Sequence, residues 1–132
     1  MIRLALAATT LATLAACVPP PAEVGRGLYA ESCTACHGAT GKGDGDLAGN
    51  LGKPVPDLTQ LSARNGGTFP RTYVMGVIDG FSREGDPHSV MPEFGAGMED
   101  DMLVPVDTGD GRATPTPAPL VALAAYLERL QE

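Results

Sequence analysis

Apolar residues recur at the spacing of an α-helix in three stretches of the chain, residues 23–36, 71–79 and 120–130. Side chains three and four positions apart share one face of a helix, so each stretch predicts a helix with an apolar face. A shorter helix is predicted for residues 58–64, with Asp57 as its N-cap. The apolar faces contain Val24 and Leu28 in the first helix, Tyr73, Val74, Val77 and Ile78 in the middle one, and Leu120, Leu123, Ala124, Leu127 and Leu130 in the last.

Glycines predict where two of these helices end and where one can be crossed. Gly38 and Gly80 follow the first and the middle stretch, and glycine is the residue most often found just after a helix. Gly25 and Gly27 lie within the first helix. Both are small enough to let another helix pass closely across it.

Three connecting segments lack a helical pattern. Residues 81–97 are interrupted by Gly and Pro and predict irregular backbone, whereas an Asp-Gly pair within residues 98–119 predicts a small β-hairpin. Residues 38–46 form a glycine-rich loop without the phosphate-loop sequence G-x-x-x-x-G-K-[ST]. Its D-x-D sequence at 44–46 begins like a calcium loop, but Val55 stands at the twelfth position, where a Glu is required.

Residues 33–37 carry the most specific motif in the chain. They read Cys33-Thr34-Ala35-Cys36-His37, the C-x-x-C-H spacing that attaches a c-type haem. Two thiols three residues apart lie on one face of a helical turn, so both can reach the vinyl groups along one edge of a porphyrin. Thioether bonds would fix the macrocycle, and His37 would place its imidazole on the iron. The motif predicts one covalently bound haem c, and the loop at 38–46 is expected to pass close to its edge.

Two other uses of a Cys pair fit the sequence less well. A redox dithiol is expected in a strand–helix context like that of thioredoxin, and the sequence predicts none there. A structural zinc ion needs four protein ligands. Outside the motif the chain offers one further Cys, Cys17, and one further His, His88.

The composition leaves little material for a hydrophobic core. The chain has 132 residues, enough for one folded domain, with 17 Gly, 12 Pro, no Trp and 5% aromatic residues. A domain this poor in large side chains is marginal unless another group fills its centre. A haem is large, flat and mostly apolar, so burying one would supply what the side chains lack.

The charge narrows the class of partner. The formal net charge is −7, and removal of the segment that contains Arg3 makes it more negative by one. Such a balance argues against binding to nucleic acid or to the surface of anionic lipid. It favours a protein partner with a basic docking face.

Residues 1–16 are organised like a secretion signal. Arg3 supplies the positive start, and the apolar run that follows is too short to span a bilayer. The sequence L-A-A-C at 14–17 resembles the bacterial lipoprotein signal, in which the Cys is acylated and becomes the first residue of the mature chain. Cys17 would then anchor a periplasmic domain to the membrane through acyl chains. The alternative is an ordinary cleavage site just before Cys17 and a soluble periplasmic protein.

Residues 17–22 predict a short tether between this anchor and the domain. Three consecutive prolines favour a stiff polyproline II spacer, which extends about 3 Å per residue. The folded domain is therefore expected at residues 23–132. If Cys17 is acylated, the domain is held close to the bilayer, which restricts the partners that it can reach.

Iron held by His37 has a second axial position, for which the chain offers five side chains. Met75 lies on the apolar face of a predicted helix, which favours packing in the core. Met98 and Met102 lie in an acidic stretch and are expected to be exposed or packed locally. His88 is expected at the surface or on the propionate side of the haem.

Met91 is the remaining candidate. It lies in the irregular segment and precedes Pro92, which removes a backbone donor and stiffens the chain. Irregular backbone can wrap round a haem face and present one thioether to it. Met91 is therefore predicted as the second axial ligand.

Together these pieces resemble a class I (mitochondrial-type) cytochrome c domain over residues 23–130. The resemblance implies a small all-α fold in which the N- and C-terminal helices cross, and a low-spin haem ligated by His37 and Met91. Residues 98–119 depart from it, because small family members run quickly from the Met loop into the last helix. Besides the haem motif, the matching pieces are G-L-Y at 27–29, G-K-G-D-G at 41–45, P-D-L-T at 56–59, M-P-E-F-G at 91–95 and L-A-A-Y-L at 123–127.

With both axial positions filled by the protein, nothing can bind at the iron and be turned over. The predicted function is therefore one-electron transfer and not catalysis. Ligation by Met favours Fe(II) and raises the reduction potential. The predicted partners are a protein donor and a protein acceptor, with no nucleic acid and no small-molecule substrate. Two alternatives stay open: a haem subunit of a larger oxidoreductase, and a haem enzyme or sensor from which Met91 dissociates.

Overall fold

The structure is a computed structural model that describes residues 18–83 and 90–132. In that part of the chain the structure is mostly helical, with one small two-stranded β-hairpin, as the sequence predicts. The helices are α1 Pro21–Ser32, α2 Thr34–His37, α3 Leu61–Arg64, α4 Arg71–Asp79 and α5 Ala118–Arg129. The strands are β1 Leu103–Asp107 and β2 Ala113–Pro117, and 3₁₀ turns lie at Ala48–Asn50, Leu58–Gln60, Phe81–Arg83 and Gly95–Gly97.

Helices α1 and α5 pack directly against each other. Gly25 allows this contact, because a Cβ at that position would lie 1.9 Å from the carbonyl oxygen of Ala122. The rings of Tyr29 and Tyr126 extend the contact at a centroid distance of 5.2 Å, which is typical of favourable aromatic pairs. The predicted close approach is thus confirmed at Gly25. It is wrong at Gly27, where no described atom outside α1 lies within 4 Å of a Cβ position.

The hydrophobic core lies between α1, α4 and α5, on the predicted faces of α4 and α5. In α1 the prediction is wrong at Val24, which is 43% exposed, because the face turned to the core carries Ala22, Gly25 and Tyr29. Tyr73 is the exception on α4, because its side chain is 61% exposed. Met75 is 4% exposed and packs in the core, as predicted. The buried members of the core are Tyr29, Val74, Met75, Ile78, Leu120, Leu123, Ala124 and Leu127.

Helix α4 has the bounds that the sequence predicts. Gly80 ends it at φ 113°, a left-handed conformation that glycine adopts without strain. A Cβ at Gly80 would lie 2.7 Å from Cγ of Glu93. The same glycine therefore ends the helix and lets the segment that contains Met91 approach the helix end.

The first predicted helix is divided in two. Cys33 adopts φ −118° and ψ −32° between α1 and α2, and this separates the two helices. Helix α1 also begins earlier than predicted, at Pro21 with Pro20 as its N-cap, so the end of the predicted tether is helical. Proline is well suited to the first helical position because the N–H that it lacks has no partner there.

The helix predicted at residues 58–64 is a 3₁₀ turn followed by α3. Its predicted N-cap is confirmed, because a carboxylate oxygen of Asp57 accepts the backbone N–H of Thr59 at 2.8 Å. The Thr59 hydroxyl also donates to this oxygen, at 2.7 Å, and it and the backbone N–H together hold the pKa of Asp57 below its usual range. Thr59 itself is 2% exposed and lies inside the turn.

Strands β1 and β2 form an antiparallel hairpin where the sequence predicts one. Its turn is held by Asp107, whose Oδ1 accepts the backbone N–H of Gly109 at 2.8 Å. The hairpin also contacts α4, because the Thr72 hydroxyl donates to the Thr108 carbonyl at 3.2 Å. The paired positions run from Leu103 opposite Pro117 to Asp107 opposite Ala113.

The glycine-rich loop caps α2. The backbone N–H of Gly43 donates to the His37 carbonyl at 2.9 Å. The N–H of Leu47 donates to the Ala35 carbonyl at 2.8 Å. Carbonyls in the last turn of a helix have no partner within it, so the loop completes the hydrogen bonding of the motif. Gly45 lies so close that a Cβ there would be 2.4 Å from the Ala35 carbonyl oxygen.

Three predicted features lie outside the described residues: the signal at 1–16, the acylated Cys17 and His88. Within residues 18–83 and 90–132, no helix is long and apolar enough to cross a bilayer.

Replacing each of two glycines of α1 by Ala tests the helix contact. We expect Gly25→Ala to lower the free energy of unfolding by about 1–3 kcal/mol, because its Cβ overlaps the backbone of α5. Gly27→Ala should raise it by about 0.5–1 kcal/mol, because an exposed helical glycine has room for a methyl group. Denaturant titration of both variants measures these values. Equal effects at the two positions would contradict the packing described here.

Candidate functional site

Two adjoining cavities lie between the C-x-x-C-H motif and the core helices. One has a volume of about 270 Å³ and the other about 290 Å³. They have lining residues in common, so they are two halves of one space, whose joint volume falls in the range of about 300–1,000 Å³ typical of cofactor sites. The shared lining residues are Cys33, His37, Pro56, Val77 and Met91.

The two thiols of the motif lie at the first half of this cavity. Both are free and half-buried. Burial, with a smaller contribution from the neighbouring Cys36, raises the pKa of Cys33 to about 11. The Cys33 thiol is therefore protonated at neutral pH. A redox dithiol requires a readily formed thiolate, so this environment argues against the thioredoxin-like interpretation.

The His37 imidazole is held in a neutral state. Burial lowers its pKa, and the backbone carbonyl of Pro56 partly opposes that shift. Neutral imidazole is the form that ligates a metal ion. Its Nδ1 is buried, and no described group meets it with the geometry of a full hydrogen bond. A buried polar atom without a partner needs an explanation. A metal-binding histidine commonly places its other ring nitrogen beside a backbone carbonyl, and the Pro56 carbonyl lies beside this ring.

Met91 reaches the same cavity from a distant part of the chain. Its side chain is half-buried, packs against the core and lines both halves of the cavity. Its backbone lies outside any helix or strand, as predicted. The N–H of Phe94 donates to the Ile78 carbonyl at 3.1 Å and ties this segment to the end of α4. The structure thus brings Met91 together with Cys33 and His37.

The other candidate ligands lie elsewhere or outside the described chain. Met75 is buried in the core, and Met98 is half-buried against it. Met102 is 73% exposed. These three side chains contribute to neither half of the cavity. Among the four described methionines, Met91 is the one that lines the cavity, and His88 lies outside the described residues.

Apolar side chains form most of the remaining wall, and a few cations complete it. Lys53 and Arg83 line the first half and Arg64 lines the second. Such a wall suits a flat apolar group that carries a metal ion and an acidic edge. The core helices contribute Val74, Val77, Ile78, Leu123 and Leu127, and the loops contribute Leu51, Val55, Leu58, Val90 and Phe94.

The prediction that residues 38–46 pass close to the bound group is wrong. These residues line neither half of the cavity. Within the loop, Gly45 meets the backbone of Thr34 and Ala35 in α2, and Gly43 meets the backbone of Val55. The glycines permit close approach, as predicted, but the approach is to other backbone segments.

Sequence reasoning does not single out two residues that shape this site. Pro56 places its carbonyl beside the His37 ring, and the P-D-L-T piece at 56–59 is a weak signal for it. Arg83 donates hydrogen bonds to the backbone of Met91 and Pro92. No spacing or motif marks Arg83, because its partners come together only through the fold.

The zinc interpretation gains no support from the structure. Among residues 18–83 and 90–132, no group of three or more His, Cys, Asp or Glu side chains is placed to hold a metal ion.

Comparison with protein families gives this arrangement a context. The family described as Cytochrome c matches residues 22–131, which is most of the chain. Comparison with curated proteins and with solved structures found no match. The matched family is one of electron-transfer haem proteins, and it implies haem c as the cofactor and redox proteins as partners.

The residues at the cavity fit a haem c. They supply two thiols three residues apart, a neutral imidazole and a thioether, all along one apolar space. This donor set is the one that a c-type haem requires. Cys33 and Cys36 are the residues that would hold the group covalently, and His37 and Met91 are those that would ligate its iron.

Removal of one hydroxyl at the cavity tests how its wall is supported. The buried Tyr29 hydroxyl donates to the Gly38 carbonyl at 2.8 Å, and Gly41 N–H donates more weakly to the same oxygen at 3.3 Å. We expect Tyr29→Phe to lower the free energy of unfolding by about 1 kcal/mol. Tyr73→Phe is the control, because Tyr73 lines the same cavity but is 61% exposed. It should change stability by less than about 0.5 kcal/mol.

The difference in the free energy of unfolding between the wild type and Tyr29→Phe should also depend on pH. Burial, together with the nearby Cys33, raises the pKa of Tyr29 above its usual value. The unfolded chain therefore loses this proton first, near pH 10. The advantage of the wild type is fully present below about pH 10 and declines as the pH rises above it. A difference that grows between pH 10 and 11 would contradict the buried, protonated hydroxyl.

Proposed function

The chain belongs to the cytochrome c family, and we propose that it is a mono-haem electron carrier of the bacterial periplasm. In this proposal Cys33 and Cys36 hold one haem covalently, and His37 and Met91 are its axial ligands. The observation that carries the proposal is that Cys33, His37 and Met91, separated by up to 58 positions in sequence, line the same cavity.

The cavity residues have different roles in such a carrier. A haem bound there would supply a one-electron Fe(III)/Fe(II) couple. Cys33 and Cys36 keep the group from dissociating, and their attachment along one wall fixes its orientation. His37 binds as a neutral imidazole because burial has already lowered its pKa. Met91 contributes a soft thioether, which favours the reduced state.

The apolar wall has its own part in this function. Val77, Leu123 and Leu127 give the second half of the cavity an apolar lining. A low dielectric raises the cost of the extra positive charge in the oxidised state, so burial adds to the effect of Met91 on the reduction potential. Fixed ligands and a packed wall also limit the rearrangement that accompanies electron transfer.

The net charge of −7 supports a partner with a basic docking face. We place this partner among periplasmic redox proteins. The signal-like segment at 1–16 and Cys17 support a lipid anchor on the periplasmic side of a membrane. A short stretch, residues 18–20, separates Cys17 from α1, so an anchored domain would work close to the bilayer.

Two alternatives make different use of the same haem. In a sensor or peroxidase-like enzyme Met91 would leave the iron, and in a larger oxidoreductase the domain would be a fixed subunit. The irregular backbone around Met91 is the feature that favours a dissociable ligand. The following variant distinguishes a stable ligand from a labile one.

We expect Met91→Ala to lower the reduction potential and to let external imidazole or cyanide bind the ferric protein. The reason is that the substitution removes the thioether that favours Fe(II) and frees one axial position. Potentiometric titration and ligand titration of the purified holoprotein measure the two effects.

Two other methionines serve as controls for this variant. Met102→Ala should leave the potential and the ligand affinity unchanged, because Met102 is 73% exposed. Met75→Ala should cost about 2–5 kcal/mol of stability without opening the axial position, because Met75 is a core residue. A Met91→Ala protein with the potential and spectrum of the wild type would show that Met91 is not the ligand.

Replacement of Cys17 tests the proposed anchor. We expect Cys17→Ser to move the protein from the membrane fraction to the soluble periplasmic fraction, because Ser cannot carry the thioether-linked lipid. Fractionation of bacterial cells followed by detection of covalent haem measures this. If the variant stays with the membranes, the anchor proposal is wrong and another contact holds the protein there.

A further inference from the structure

The segment that presents Met91 lacks the backbone support that a helix or strand would give. Met91 lies in a bend, and Pro92 has no N–H to donate. The Val90 side chain just before it is 52% exposed. A thioether carried on such backbone keeps one position only if other groups hold its main chain.

Arg83 supplies those groups. Its Nη1 donates to the Met91 carbonyl at 2.6 Å, and its Nη2 donates to the Pro92 carbonyl at 2.9 Å. Its Nε donates to the Val77 carbonyl at 2.8 Å. Three donors of one planar group therefore join two consecutive carbonyls of the Met91 segment to the end of α4.

The attachment point on α4 is a fixed one. Val77 belongs to the last turn of the helix, whose carbonyls lack partners within the helix. The neighbouring Ile78 carbonyl accepts the N–H of Phe94 at 3.1 Å. The Met91 segment is thus bound to α4 at two places, by Arg83 at the Met91 and Pro92 carbonyls and by the N–H of Phe94.

Close packing beyond Met91 completes this junction. A Cβ at Gly95 would lie 2.7 Å from the backbone oxygen of Asp79, and one at Gly80 would lie 2.7 Å from Cγ of Glu93. At Gly95 the backbone therefore meets that of α4, and at Gly80 the Glu93 side chain packs on the helix end. Arg83 forms hydrogen bonds with the backbone of Val77 and of Met91, and each of these two residues lines the two halves of the cavity.

We propose that Arg83 is a positioning residue for Met91: its guanidinium fixes the Met91 and Pro92 carbonyls to α4 and so holds the thioether at the cavity. This inference rests on the proposed function, in which Met91 is an axial ligand. A guanidinium offers five N–H donors in a rigid fork, whereas a Lys ammonium is a compact charge on a flexible stem. Lys at this position keeps the charge and loses the simultaneous contact with three carbonyls.

The test is a titration of the ferric holoprotein with imidazole, which competes with the thioether for the iron. Arg83→Lys and Arg83→Gln should each raise the affinity for imidazole about tenfold, because the loss of two or more charged hydrogen bonds loosens the competing ligand. Both should also weaken the red-edge absorption band of the iron–thioether bond. Arg71→Lys and Arg71→Gln are matched controls on α4, since Arg71 pairs with Glu128 and lines neither half of the cavity. They should leave the affinity unchanged.

The possible outcomes distinguish the role of Arg83 from the assignment of Met91 as a ligand. If the wild type shows the thioether band and Met91→Ala loses it, the ligand assignment stands. Wild-type imidazole affinity in both Arg83 variants then overturns the role of Arg83. If Arg83→Lys keeps the wild-type affinity for imidazole and Arg83→Gln does not, the positive charge of residue 83 matters and the geometry of the guanidinium does not. That result also overturns the inference. A wild type without the band overturns both the ligand assignment and this inference.

The test does not depend on full stability of the Arg83→Gln protein. Its circular dichroism and covalent haem content confirm folding before the titration. If it fails to load haem, Arg83→Lys carries the comparison alone against Arg71→Lys. An affinity within about twofold of that control overturns the inference.

Discussion

The contact between α1 and α5 fixes the two sides of the cavity relative to each other. Helix α1 leads directly into the motif, because the Cys33 N–H donates to the Tyr29 carbonyl at 2.9 Å. Helix α5 supplies Leu123 and Leu127 to the opposite wall. Since Gly25 brings the two backbones into direct contact, neither wall can shift without disturbing the other. A frame of this kind suits a site whose charge changes by one unit while its shape stays constant.

Polar groups around the cavity form hydrogen bonds with the segments of its wall, so most of the lining can remain apolar. The loop after α2 satisfies the last carbonyls of the motif helix. At the end of the chain, the side-chain amide of Gln131 donates to the Leu58 carbonyl at 2.8 Å and accepts the Ser62 N–H at 2.8 Å. Arg83 does the same for the Met91 segment. Each of these groups gives a hydrogen-bond partner to backbone atoms that no helix or strand pairs.

Local patterns predict those parts of the site that local chemistry determines. Helix α4 requires only its apolar stripe and Gly80, and its bounds are predicted correctly. The motif at 33–37 is recognised by its own spacing, and the attachment of haem there stays a prediction. Met91 is reached by exclusion of the other candidates, and the structure places it at the cavity. Whether it binds iron stays a prediction.

Features that depend on distant neighbours are not predicted. Gly25 and Gly27 are equivalent in sequence, but only one of them faces α5. The break at Cys33 and the packing of the glycine-rich loop against α2 likewise depend on the tertiary fold. Arg83 lies next to no motif, and its three acceptors become neighbours only when the Met91 segment returns to the end of α4.

The central claim is that protein side chains occupy both axial positions of the haem iron. The most direct measurement is the visible spectrum of the reduced protein at neutral pH before and after addition of carbon monoxide. We expect no change, because His37 and Met91 leave no position for the gas. A rapid and complete shift to a carbon monoxide complex would show that one axial position is open and would favour a sensor or an enzyme.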